Sequence, residues 1–116
     1  MKRRTLDFST RLIKLTQAIP SSYAGGVISK QLLRAGTSIG ANYREALHAS
    51  TPRHFVTTLE IAQREASESA YWIELIIHAG IMPEQKMQSL LEECRELYAI
   101  LTSTIVSRKK NISEPS

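Results

Sequence analysis

Breakers at Pro20, Gly80 and Pro83, and a capped start at Thr51-Pro52, divide this chain into stretches whose apolar residues recur at alternating steps of four and three. That recurrence marks one face of an α-helix, and it conflicts with the every-second-residue alternation of a strand. Phe8, Leu12, Leu15 and Ile19 predict a first helix over 5–19, stopped by Pro20. Ser21 and Ser22 are caps for a second helix over 23–48, whose first turn Gly25 and Gly26 weaken. That helix carries one apolar row, Ile28, Leu32, Ala35, Ile39, Asn42 and Ala46, and an adjoining row of Leu33, Gly36, Gly40, Tyr43 and Leu47. Its polar row holds Gln31, Arg34, Ser38 and Glu45.

Ser50 or Thr51 caps the third helix, predicted over 52–79, and Pro52 suits its first position because the missing N–H has no partner there in any helix. Phe55, Leu59, Ala62, Ala66, Ser69, Ile73 and Ile76 form its stripe, small in the middle, so a partner helix can come close. Gly80 ends it. Pro83 opens a fourth helix over 83–108, with Met87, Leu91, Cys94, Tyr98, Leu101 and Ile105 on one face, widened by Leu90 and Leu97. Residues 111–116 read as a flexible tail. Four amphipathic segments with short connections predict an all-α, antiparallel up-down four-helix bundle, one domain over 1–110.

With one cysteine in 116 residues, the chain can form no internal disulfide and no cysteine-built zinc site. No window approaches the ~18–20 apolar residues of a membrane span. Asp7, Arg11 and Lys14 interrupt any signal-peptide block after the basic start. A cytoplasmic protein with no membrane partner is expected.

Reactive constellations are scarce. Glu45 and His48 spell the Glu-x-x-His of di-iron bundles, but that chemistry needs a second such pair and two further glutamates. Glu74 and His78 stand four apart, a common spacing that more often means two solvated side chains. Cys94 lies on an apolar stripe, which suits an inert buried thiol. No nucleophile elbow or phosphate-cradling glycine loop is present. Neither an enzyme, nor a cofactor, nor a metal is expected. One row of the third helix is unusual: Ile61, Glu65, Glu68, Trp72 and Leu75 set two carboxylates among apolar groups. Either Gln31, Arg34 and Ser38 partner them, within the chain or across a subunit interface, or the row faces solvent.

The string Gln31-Leu32-Leu33-Arg34-Ala35-Gly36-Thr37-Ser38-Ile39-Gly40-Ala41-Asn42-Tyr43-Arg44-Glu45-Ala46 resembles the central signature of the "four helix bundle protein" family, also called the 23S rRNA intervening-sequence protein family. Phe55, Leu59-Glu60-Ile61-Ala62 and Arg64 through Leu75 resemble its third-helix signature. The likeness covers roughly residues 5–108, with the first and fourth helices alike only in apolar pattern. It implies bacterial origin, an all-α bundle and no assigned enzymatic activity. Some relatives are encoded inside insertions of the large ribosomal RNA gene, and related bundles form homopentameric rings. The accessory variability protein of diversity-generating retroelements is similar, and it binds nucleic acid and a reverse transcriptase.

The leading expectation is therefore a non-catalytic oligomeric scaffold that binds RNA or an RNA–protein partner. Its rivals are a purely structural or protein-interaction bundle and a small metal- or ligand-binding bundle. Two apolar faces on the second and third helices predict a homo-oligomer through Gly36, Gly40, Tyr43, Ile61, Trp72 and Leu75, pentameric by resemblance. Net charge is +4, distributed as +4 over residues 1–20, +2 over 21–50, −2 over 51–80 and zero over 81–116. In an up-down bundle one pole collects Arg44, His48, Arg53, His54, Arg108, Lys109 and Lys110, the expected nucleic-acid contact. The other collects Glu74, Glu84, Glu92 and Glu93. The first helix is too short to bring Lys2, Arg3 and Arg4 to the basic pole unless its start is extended.

Overall fold

The computed structural model describes residues 1–113. It contains α1 (Lys2–Ala18), α2 (Tyr23–Leu47), α3 (Pro52–His78) and α4 (Glu84–Ser113), and no strand among the described residues. The starts of α2 and α3 and the end of α3 have local causes. The Gly25 N–H donates to the Ser22 hydroxyl at 2.9 Å, so Ser22 caps α2. The His54 N–H likewise donates to Thr51 Oγ1 at 3.1 Å, with Pro52 in the first turn. After α3, Gly80 adopts φ +72° while the N–H groups of Gly80 and Ile81 donate back to Ile77 and Ile76, each at 3.0 Å. This left-handed terminus disfavours a side chain, which is why glycine stands there.

The helices pack as an antiparallel up-down bundle about 56 × 22 × 20 Å. Phe8 and Leu12 of α1, Leu32 and Ile39 of α2, Leu59, Ile73 and Ile76 of α3, and Met87, Leu97 and Leu101 of α4 are fully buried. The small middle of α3 admits α4 closely: the Cys94 thiol donates to the Ala66 carbonyl at 3.2 Å. Burial pushes that thiol up to about 12, so Cys94 is an unreactive packing group.

Two differences from the sequence expectations matter for function. α4 continues through Asn111 and Ile112, because Ile112 falls seven residues after Ile105 and packs on the same core. The expected tail over 111–116 is therefore helical as far as Ser113, and its last three residues lie outside the described ones. Second, Gly36 and Gly40 are covered by α1 of the same chain. A Cβ at Gly36 would overlap Leu12 Cδ1, and one at Gly40 would come within 3.0 Å of Thr5 Oγ1. The second row of α2 thus seats α1 inside the monomer, and these two residues are closed to another copy while α1 is docked.

Candidate nucleic-acid interface

The pole formed by the end of α2, the start of α3 and the end of α4 carries Arg44, Arg53, His54, Arg108, Lys109 and Lys110, all solvent-exposed. Contacts between α3 and α4 fix part of this set. The Arg108 guanidinium lies over the Phe55 ring, 4.7 Å from its centroid. Lys109 Nζ pairs with Glu60 at 2.8 Å. Between these helices runs a groove of about 580 Å³, lined by Arg53, Val56, Thr57, Glu60, Lys109 and Ile112. The sequence offered Arg53 and Lys109, but Ile112 was hidden in the supposed tail and Phe55 in the core stripe. The seven-residue step from Ile105 to Ile112 was the signal that could have revealed the wall.

Arg3 and Arg4, at the start of α1, are held in ion pairs of their own. α1 starts as helix at Lys2, and Thr5 lies against Gly40, seven residues before the end of α2. At ~1.5 Å per residue that leaves Thr5 roughly 10 Å, and the helix start at Lys2 roughly 6 Å, short of the end of α2. Arg3 pairs with Asp7 on its own helix at 3.3 Å. Arg4 turns to α4, donating from Nε and Nη2 to Glu93 at 2.8 Å each, with Glu96 at 3.3 Å. This two-pronged hydrogen bond holds the Glu93 carboxyl below the ordinary carboxylate range, against the opposing effect of its partial burial. Glu93 is therefore a partner of α1 rather than a free acid of the far pole. At that far end Glu74 pairs with Arg95 at 2.9 Å, beside a groove of about 640 Å³ that Glu84 and His78 also line. No three His, Cys, Asp or Glu side chains gather as a metal-binding group among the described residues.

The carboxylate row of α3 has its partner within the chain. Arg34 of α2 reaches Glu65 at 3.2 Å and Glu68 at 2.6 Å, and Gln31 accepts from Arg34 Nε at 3.3 Å. The hydrogen bond to Glu68, followed by the two carboxylate charges, raises the Arg34 pKa. The cluster is neither buried nor open: side-chain exposures are 49% for Arg34, 20% for Glu65 and 36% for Glu68. Along the same row, Ile61 is exposed, Trp72 and Leu75 are half-buried, and Tyr71 meets the Trp72 ring edge-on at 5.1 Å. Trp72 Nε1 is buried without a hydrogen-bond partner among the described residues. Tyr43 is half-buried and packs on the core from the α2 side.

Long, closely packed helices, a cationic pole and a hydrophobic seam interrupted by ion pairs define a polar-ended four-helix bundle. No helix of it is long and apolar enough to cross a membrane among the described residues. The chain belongs to the 23S rRNA-intervening sequence protein family, whose profile it matches over residues 1–103. It is similar to a crystal structure from Bacteroides thetaiotaomicron, described as a protein of unknown function from the S23 ribosomal protein family. The two share 38% identity with a TM-score of 0.84, over 90% of this chain and 96% of that one. No curated protein matches the chain.

Proposed function

We propose that this protein is a non-catalytic, oligomeric scaffold that binds RNA through its basic pole. The carrying observation is the convergence of six exposed basic side chains, from three helices, on one end of the molecule. Among the described residues two carboxylates stand nearby on these helices, Glu45 and the Lys109-paired Glu60, against six basic side chains. Contacts of this kind bind phosphates with little sequence preference and weaken steeply with salt. A cyclic assembly repeats the pole around its axis, so a modest charge per subunit becomes a strong one.

The α3 row supports the assembly. Ile61, Trp72 and Leu75 leave apolar surface exposed, which a neighbouring copy would cover. Gly36 and Gly40 do not belong to this proposed interface, since α1 occupies them, and Tyr43 lies in their row, on the side of α2 opposite Arg34. The α3 row also favours the second reading, a protein-interaction bundle with no nucleic-acid role.

The test combines light scattering with an RNA-binding salt series on the wild type and on a variant carrying Arg44→Gln, Arg53→Gln, Arg108→Gln, Lys109→Gln and Lys110→Gln. The expected result is an oligomer whose salt-sensitive RNA affinity disappears in the variant. Retained affinity with the oligomer intact removes the basic pole as the site. A wild type that binds no RNA leaves the interaction bundle, and a monomer at high micromolar concentration ends the oligomer reading.

A further inference from the structure

Resting on the basic pole as an RNA site, we propose that it takes unpaired RNA bases, with the Arg108 guanidinium as the stacking plane, in preference to a duplex. Phe55 is half-buried and packed on the core, so its ring is a fixed support. Arg108 is exposed yet lies over that ring at 4.7 Å, which holds its guanidinium at the pole and leaves it open to solvent. Proteins recognise single-stranded RNA by stacking splayed bases on aromatic rings or on arginine guanidinium planes. A lysine-rich surface without such a plane reads only phosphate spacing.

The adjoining groove has the matching composition. Val56 and Ile112 give it apolar walls, Arg53 and Lys109 give it a cationic rim, and Thr57 and Glu60 supply polar atoms. Val56 and Lys109 directly follow Phe55 and Arg108 in the chain, so the groove lies at the same height along the bundle as the stacking plane, turned by about 100° around each helix. Apolar walls contribute nothing to a duplex, whose bases are stacked on each other and whose outside is phosphate and ribose. One unpaired base gains a face on Arg108, and a neighbouring base of the same strand gains the apolar walls of the groove.

The experiment measures anisotropy of a labelled mixed-sequence single-stranded RNA and of a hairpin stem carrying the same number of phosphates, each over a salt series. Arg108→Lys preserves the charge and removes the plane, and Phe55→Leu preserves apolar bulk and removes the support. The wild type should favour the single strand by about fivefold or more, the scale of one base-stacking contact. Both variants should bind the single strand no better than the stem, and Arg108→Lys should keep the wild-type salt slope. Equal affinity of the wild type for the two probes overturns the inference and leaves the basic-pole reading standing. Undiminished single-strand preference in both variants, with helicity intact by circular dichroism, also overturns it. Absence of salt-sensitive binding to either probe overturns the underlying reading, and the inference with it.

Discussion

Replacing Gly36 by alanine pits two opposing effects of known size against each other. Alanine in a helix interior is worth ~1 kcal/mol over glycine, from backbone entropy alone. At Gly36 the new methyl would overlap Leu12 Cδ1, and Phe8 Cε2 lies 3.5 Å away on the same side. Leu12 is wholly buried at 0% exposure, so it cannot swing into solvent. Forcing a methyl into so tight a contact typically costs ~1–3 kcal/mol. The net expectation is a loss of about 0–2 kcal/mol, set against Gly26→Ala, where nothing lies within 4 Å of the added carbon. That control should gain ~0.5–1 kcal/mol. Thermal melts at matched protein concentration should therefore move Tm in opposite directions, by a few degrees each. A double-mutant cycle sharpens the assignment: in a Leu12→Val background the clashing carbon is gone, and Gly36→Ala should become neutral or stabilising. If Gly36→Ala stabilises as much as Gly26→Ala in the wild-type background, α1 does not lie in the notch of α2 as described.

Other outcomes follow from the polar groups. The folded Glu93 pKa lies below the unfolded one, so its pair with Arg4 contributes stability that is present above about pH 4.3 and lost as pH falls through the lower folded value. The stability gap between wild type and Glu93→Gln, measured by urea melts, should be full at neutral pH and close in acid; a pH-independent gap refutes the pairing. Cys94, buried and with its thiol pKa raised to about 12, should resist alkylation in the native protein and react on denaturation, as mass spectrometry would show. Rapid native labelling would contradict the packing. Ile61 is the exposed apolar residue of the α3 row, so Ile61→Glu should weaken self-association while leaving helicity unchanged. Wild-type assembly of that variant on analytical ultracentrifugation removes Ile61 from the interface.

Local signals carried the architecture. The four–three spacing, Ser22, Thr51, Pro52, Gly80 and Pro83 determine where helices form and end, because helix faces and caps involve residues only a few positions apart. The family likeness was legible for the same reason, since Gln31–Ala46 and Arg64–Leu75 are continuous strings. The clustering of Arg44, Arg53 and Arg108–Lys110 at one end likewise follows from alternating helix direction alone. Where each apolar row is buried was a different matter. Gly36 and Gly40 look equally ready for α1 or for another subunit, and only the docked position of Leu12 and Thr5 decides between them. Arg4 could have extended toward the pole, yet Glu93, eighty-nine residues later, holds it against α4. Arg34 met both Glu65 and Glu68 at intermediate exposure, a state between the two readings that the sequence left open. Phe55 beneath Arg108 brings together residues fifty-three positions apart. Such contacts depend on the register and rotation of one helix against another, which the packing of all four cores sets jointly and no single segment encodes.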